Sequence, residues 1–279
     1  PVNMRIKFQC LMAKTCSQYA EVLELKKGKS EKYGTPSQLY HTAMSILQET
    51  VQLSRQHSLT LGAQATGKVY MTYGTLCDTL LKSSDCSDIT QHTTVTKEQL
   101  AQSLVNALLS AMQCDSRQAQ AKFPRLLELL EKYSSARREF AKFINGERLS
   151  IPSHMFLPWI SQILSHMNGT ESSHLLPILD SIAELYPNAL YFPLSISRSD
   201  ITNSDKGIQL RISSVEQKLR NPVLSQLISS LRDMDHPELR FKSWIDRVKS
   251  VYKTYGQSKS QLQMELKKIW SQVFEDLFD

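Results

Sequence analysis

The sequence is short of several things. Nine Gly and ten Pro in 279 residues leave little room for the Gly-rich or Pro-rich tracts of linkers and low-complexity chains. Lys+Arg (33) and Asp+Glu (27) are interspersed with no long single-sign run, and 41% of residues are hydrophobic, so a core can form and disorder is excluded. No run approaches the roughly 18 uncharged apolar residues of a membrane-crossing helix. Pro1-Val2-Asn3 carries neither an initiator Met nor a basic stretch leading into an apolar one. The expectation is a chain internal to a longer protein, without a signal peptide.

The five cysteines, Cys10, Cys16, Cys77, Cys86 and Cys114, are odd in number and contain no Cys-x-x-Cys pair. Neither a disulfide framework nor a zinc site is implied, and a reducing compartment fits best. The seven histidines, His41, His57, His92, His154, His166, His174 and His236, never reach the spacing of a metal motif and are expected at the surface or at helix caps. Asn168-Gly169-Thr170 matches a glycosylation sequon, which a chain in a reducing compartment would not use. The net charge of +6 is spread over 31.8 kDa and points only weakly to nucleic acid.

What is present is helical periodicity from end to end. Met155, Trp159, Ile160, Ile163, Leu164 and Met167 advance in steps of three and four and draw one apolar stripe. Phe241, Trp244, Ile245, Val248 and Tyr252 draw a second, and Leu262, Leu266, Ile269, Val273 and Leu277 a third; each is expected to be covered by a neighbouring helix. Caps and breakers fall between stripes. Thr35-Pro36 reads as an N-cap followed by Pro at the first helical position, and Thr96 with Gln99 as a capping box opening a run through Met112. Asn221-Pro222 and His236-Pro237-Glu238 open further helices, and Pro124 starts a segment expected to run over Arg125–Ile144. Polar stretches at Lys26–Gly34, Ser83–Thr94, Asn145–Ser150 and Ser197–Gly207 read as linkers, with a sub-boundary placed near 145–150. The fold class is all-α. About a dozen helices in pairs of roughly 35 to 45 residues favour an α-solenoid over a compact bundle, in a single helical-repeat region over 1–279.

No catalytic constellation is legible. Gly62-Ala-Gln-Ala-Thr-Gly67-Lys68 has the spacing of a phosphate-binding loop, but Val69 stands where a magnesium-binding hydroxyl is required and no strand precedes it. A turn leading into a helix over Lys68–Leu81 is the expectation. Basic residues cluster at Lys26-Lys27-Gly28-Lys29, at Arg137-Arg138, and along Arg240, Lys242, Arg247, Lys249 and Lys253. Interleaved Glu238 and Asp246 favour a solvated helix face there over a nucleic-acid track. No residue is assigned as a catalytic, cofactor or metal site.

Three runs carry a resemblance. Ile151-Pro-Ser-His-Met-Phe-Leu-Pro-Trp159-Ile160-Ser161, Ile182-Ala-Glu-Leu-Tyr186-Pro187-Asn-Ala-Leu-Tyr191-Phe-Pro193-Leu-Ser-Ile-Ser197 and Pro237-Glu238-Leu239-Arg-Phe241-Lys242-Ser-Trp244 resemble the FAT region of phosphatidylinositol-3-kinase-related protein kinases. The likeness covers Ile151–Asp279; Tyr70-Met71-Thr72, Leu76-Cys77-Asp78 and Arg137–Ile144 share its character. It implies a helical collar supporting a kinase domain in the same polypeptide, and a parent enzyme that uses ATP and Mg²⁺ to phosphorylate Ser or Thr before Gln. The member most resembled acts in the nucleus, at DNA ends with the Ku heterodimer, in non-homologous end joining. None of the family's ATP, metal or catalytic positions falls inside this sequence. The six Ser-Gln pairs, at Ser17, Ser37, Ser161, Ser225, Ser260 and Ser271, are candidate autophosphorylation positions, several of them expected to be hidden by helix packing. The alternative is a self-contained helical-repeat adaptor, which would need polar outer faces on its terminal helices. Trp270, Phe274 and Phe278, on more than one side of the last helix, favour a continuing scaffold.

Overall fold

A computed structural model describes residues 2–25, 34–82, 96–144, 151–201, 206–235 and 237–278. Fifteen α-helices and two 3₁₀ turns make an all-α helical-repeat solenoid, with no β-strand among the described residues. In chain order the helices are α1 (Val2–Leu25), α2 (Pro36–Gln56), α3 (Ser58–Leu61), α4 (Ala63–Lys82), α5 (Lys97–Gln113), α6 (Arg117–Ala121), α7 (Phe123–Lys132) and α8 (Ser134–Ile144). After a 3₁₀ turn over Ser153–Trp159 come α9 (Ile160–Ser165), a second turn over His166–Asn168, α10 (Ser172–Leu185), α11 (Pro187–Ile201) and α12 (Lys206–Lys218). Then follow α13 (Pro222–Asp235), α14 (Pro237–Tyr255) and α15 (Lys259–Phe278). The expected linkers Ser83–Thr94 and Asn145–Ser150, most of Lys26–Gly34, and Cys86, His92 and His236 lie outside the described residues.

Local chemistry sets the helix starts. Thr35 Oγ1 accepts the Gln38 amide at 3.4 Å while Gln38 Oε1 accepts the Thr35 amide at 3.0 Å, and Thr96 and Gln99 repeat this box at 3.2 and 2.9 Å. Asn221 Oδ1 caps α13 by accepting the Leu224 amide at 3.2 Å. The stretch Ser197–Gly207 departs from its reading as a linker, because α11 continues through Ile201 and α12 opens at Lys206. Ile201 is buried, so packing outweighs the weak helix preference of its Ser and Asp neighbours.

The segment expected as one helix over Arg125–Ile144 is two. Tyr133 adopts an extended conformation (φ −119°, ψ 124°) between α7 and α8. The cause is tertiary. The Glu98 carboxylate, in the first turn of α5, accepts the Ser135 amide at 3.1 Å and its hydroxyl, which also donates to the Glu98 carbonyl at 2.8 Å. Arg137 closes the end of α7 by donating to the Leu130 and Glu131 carbonyls at 2.8 and 3.1 Å.

The chain divides into two compact units, Pro1–Leu219 and Arg220–Asp279. In the first, α1 and α2 run antiparallel, as Arg5–Glu49 (2.7 Å) and Tyr40–Glu24 (3.3 Å) require, and α4 and α5 form the next antiparallel pair. Gly74 permits that close approach: a Cβ there would meet Ala107 Cβ at 3.4 Å. Helix α5 is central, with Leu104, Leu108 and Met112 fully buried. From it one hydrophobic cluster passes through Phe123 and Phe156, packed edge to face at 5.4 Å, to Leu176, Ile182 and Leu194. Residues on both sides of 145–150 belong to that cluster.

In the second unit α14 and α15 pack together and α13 lies against α14. Among residues 220–271 whose side chains are described, none is buried.

Candidate functional site

The phosphate-loop-like run is a helix start. Gly62 (φ 75°) closes α3, and Ala63 to Lys68 form the first turns of α4, where a Cβ on Gly67 would come within 3.2 Å of Cys114 Cβ. Gly67 is a packing glycine. Among the described residues no group of three or more His, Cys, Asp or Glu is placed to hold a metal, and no helix is long and apolar enough to cross a membrane. Cys10, Cys16, Cys77 and Cys114 are free thiols; burial raises the pKa of Cys10 and Cys114, and pushes Cys77 up to about 12. A thiol held in its neutral form, as at Cys10, Cys77 and Cys114, is a poor nucleophile at neutral pH. His41 is exposed and His57 links α2 to α3, as expected of surface and cap residues, and His154 Nε2 contacts Asp115 Oδ1 at 2.8 Å. His166 and His174 are more enclosed. His166 Nδ1 meets the buried Glu171 carboxylate at 2.7 Å, and burial, with the Arg137 charge, lowers the pKa of His174.

The ionic groups that do converge join helices. Between α2, α4, α5 and α8, Arg55 donates to the Tyr70 hydroxyl at 3.2 Å and to Asn106 Oδ1 at 3.1 Å. Asn106 and Gln102 donate to the two oxygens of the buried Glu139 carboxylate at 2.6 and 3.0 Å, and Lys142 adds a contact at 2.9 Å. Arg55, Tyr70, Gln102, Asn106 and Glu139 border a cavity of about 330 Å³. Every polar group in the set is matched to another protein group, which is the pattern of an inter-helix brace and not of an acid–base pair awaiting a substrate.

The remaining surface with functional content is apolar. On α1 the buried residues Ile6, Ala13 and Ala20 lie on one face, while Met4, Phe8, Leu11, Tyr19 and Val22 project from the opposite one, Phe8 and Leu11 being 61% and 60% exposed. On α14 the stripe expected in a core is outside instead: Phe241 is 61% exposed and Tyr252 65%, with Ile245 and Val248 also exposed and Trp244 half-buried. The reason is the count of elements, since three helices give α14 too few neighbours to cover a stripe that wide. Of the third stripe, Leu262, Leu266 and Ile269 are half-buried, and the side chains of Val273 and Leu277 lie outside the described ones, as do those of Phe274 and Phe278. Trp270 is 69% exposed. Beside the α14 stripe Lys242, Lys249, Lys253 and Arg247 are exposed, the solvated face expected; the Arg240 side chain and Lys26–Lys29 lie outside the described set. Of the Ser-Gln serines, Ser161, Ser225, Ser260 and Ser271 are exposed and Ser17 partly so, while the Ser37 hydroxyl oxygen is buried, so helix packing hides fewer of them than expected.

The chain is 32% identical over 222 residues to the DNA-dependent protein kinase catalytic subunit of Dictyostelium discoideum, 77% of this chain and 5% of that protein. The Mus musculus protein of the same name is 28% identical over 221 residues, 76% of this chain and 5% of its own length. The Transformation/transcription domain-associated protein of Mus musculus is 25% identical over 117 residues, 39% of this chain and 5% of that protein. A comparison with models of known protein families gives no match. The chain thus spans about 5% of the length of the curated relatives it matches. It is a helical segment of a protein of the phosphatidylinositol-3-kinase-related kinase family.

Proposed function

We propose that this segment is part of the FAT-type collar of its parent protein, a scaffold that supports and regulates a Ser/Thr kinase domain in the same polypeptide. The observation that carries the reading is the second unit: three amphipathic helices with no buried residue among their described side chains, and Phe241, Tyr252 and Trp270 mostly exposed. Apolar faces of that extent need a cover. The outward stripe of α1 asks for the same. A self-contained adaptor would present polar outer faces instead.

In this reading the chemistry belongs to the kinase domain, which would use ATP and Mg²⁺. The collar acts by favouring one arrangement of that domain over another, through stacked helix pairs that each contact mainly their neighbours. The relatives named for a DNA-dependent protein kinase extend the proposal to the parent: a nuclear protein that works at DNA double-strand breaks in non-homologous end joining, with DNA ends and the Ku heterodimer as partners.

The test uses the full-length parent. Phe8→Ser with Leu11→Ser, and separately Phe241→Ser with Tyr252→Ser, change only exposed positions. The expected result is lower DNA-stimulated kinase activity in the parent with an unchanged melting temperature for the 279-residue chain. Activity equal to wild type in both double variants would overturn the scaffold reading and favour the adaptor.

A further inference from the structure

We infer that the exposed face of α14 is a docking seam for one amphipathic α-helix whose apolar heptads are flanked by acidic residues. The seam belongs to the surface that the scaffold reading already requires to be covered, so the partner rests on that reading, and the chemistry of the cover is set by α14 itself.

Spacing points to a helix as the occupant. Phe241, Ile245, Val248, Tyr252 and Tyr255 follow one another in steps of four, three, four and three, and all five are exposed. At about 100° per residue they fall within about 80° of one another around the helix axis. Trp244 and Val251, the third apolar position of each heptad, are half-buried and so already covered in part. What is left outside carries two apolar positions per heptad, the narrow seam by which one helix packs along another. The seam is about 21 Å long at 1.5 Å per residue, which two heptads of a partner helix match. It stops at Glu238, a charged residue where the next seam position before Phe241 falls.

Charge selects which helix. With Phe241, Val248 and Tyr255 at heptad position d and Ile245 and Tyr252 at a, Lys242 and Lys249 both stand at e, where a packed partner's flanking residues come within reach. Lys253 adds positive charge along the same edge, and all three are exposed. Asp246 Oδ1 lies 3.8 Å from Lys249 Nζ, but with these side chains 60% and 73% exposed that pair is weak and leaves the ammonium to a better partner. A second copy of α14 does not fit. Laid antiparallel it sets lysine against lysine, and laid parallel it offers the lysines only Trp244 and Val251. A helix lying on an anionic lipid surface carries basic residues along both edges of its apolar face, whereas the second edge here is Trp244 and Val251. A helix with acidic residues beside its own apolar heptads matches both the seam and its charged edge.

The experiment is fluorescence anisotropy on the 279-residue chain with two fluorescein-labelled peptides of three heptads each. One repeats Glu-Ile-Ala-Ala-Leu-Glu-Lys and the other Lys-Ile-Ala-Ala-Leu-Lys-Glu, so that they share an apolar seam and differ in charge alone. The acidic peptide should bind at least about tenfold more tightly than the basic one, and more weakly as salt is raised. Lys242→Glu with Lys249→Glu should reverse the preference, and Val248→Asp, at the exposed centre of the seam, should abolish binding of the acidic peptide. Equal binding of the two peptides, no binding of either, a charge-reversed variant that keeps the wild-type order, or a Val248→Asp variant that binds as wild type would overturn the inference. So would binding to phosphatidylserine vesicles in place of the acidic peptide, which would assign the face to a membrane. Thermal melting identifies a variant that has failed to fold, and the peptide order and salt dependence of the wild-type chain then decide alone. None of these readouts is kinase activity: loss of the peptide result beside lowered activity of the parent carrying Phe241→Ser and Tyr252→Ser would remove this partner and keep the scaffold.

Discussion

Arg125 on α7 donates Nε–H to Asp78 Oδ1 on α4 at 2.8 Å, while Lys82, one turn along α4, holds Oδ2 at the same distance. The Asp78 side chain is only 10% exposed and Arg125 23%, so the pair is shielded from most of the screening that makes surface ion pairs weak. Replacing Asp78 by Ala leaves Arg125 with only Glu128, 56% exposed, and should cost about 3 kcal/mol in urea unfolding. Asp78→Ala with Arg125→Met removes both charges together and should recover part of that loss, because no half-buried charge is then stranded.

The same carboxylate sets an acid limit. Burial alone would raise the Asp78 pKa, but the Lys82 and Arg125 hydrogen bonds and charges outweigh it and hold it below the ordinary 3.8. Burial of Glu139 is likewise outweighed by Lys142, Asn106 and Gln102, and the Ser135 hydroxyl and amide lower Glu98, both from an ordinary 4.5. Each folded pKa is depressed, so the stabilisation is complete above the unfolded values and is lost as pH falls through the folded ones. The melting temperature should change little between pH 5 and pH 8 from these groups and fall steeply below about 4, and Glu139→Gln should flatten part of the fall. A melting temperature that rises on acidification would contradict these three assignments.

What was legible in the sequence was whatever short-range chemistry controls. The boxes at Thr35 and Thr96 need only four residues each, and both are found as read. The break at Tyr133 was not legible, because nothing within one turn of it dictates an extended residue; Glu98, 37 positions from Ser135, does. The three-and-four stripe from Met155 to Met167 holds five buried residues and the half-buried Trp159, on a backbone that is not one regular helix. Pro158 sits in a 3₁₀ turn, and only α9, over Ile160–Ser165, is α-helical. Periodicity also cannot say what covers a stripe, so it places Phe241 and Tyr252 inside although both are mostly exposed. The inter-helix set around Glu139 draws on α2, α4, α5 and α8, and no local pattern brings those residues together.

Two aromatic residues separate burial from exposure directly. Trp159 is half-buried against the main cluster, and its indole N–H donates to the Gln120 carbonyl at 2.7 Å. Trp159→Ala should cost about 3 kcal/mol, and Trp159→Phe about 1 kcal/mol for the lost donor. Phe241→Ala, at a position 61% exposed, should change the unfolding free energy by less than about 0.5 kcal/mol. Equal costs at Trp159 and Phe241 in chemical denaturation would show that the two stripes are covered alike.

Hydrogen exchange tests the contrast between the two units. Helix α5 has Leu104, Val105, Leu108, Leu109 and Met112 within 1% of full burial, so its amides open only with the unit as a whole. In α14 and α15 no described side chain is buried, and each turn can open without breaking a core. For the 279-residue chain the α14 amides should therefore exchange at least about a hundredfold faster than those of α5, a difference of about 2.7 kcal/mol in opening free energy. The scaffold proposal has the second unit gain cover for Phe241, Tyr252 and Trp270 in a full-length parent, and on it the gap should narrow there. Protection of α14 equal to that of α5 in the 279-residue chain would mean that its apolar face is already satisfied. The case for a scaffold that needs neighbours would then lose its carrying observation.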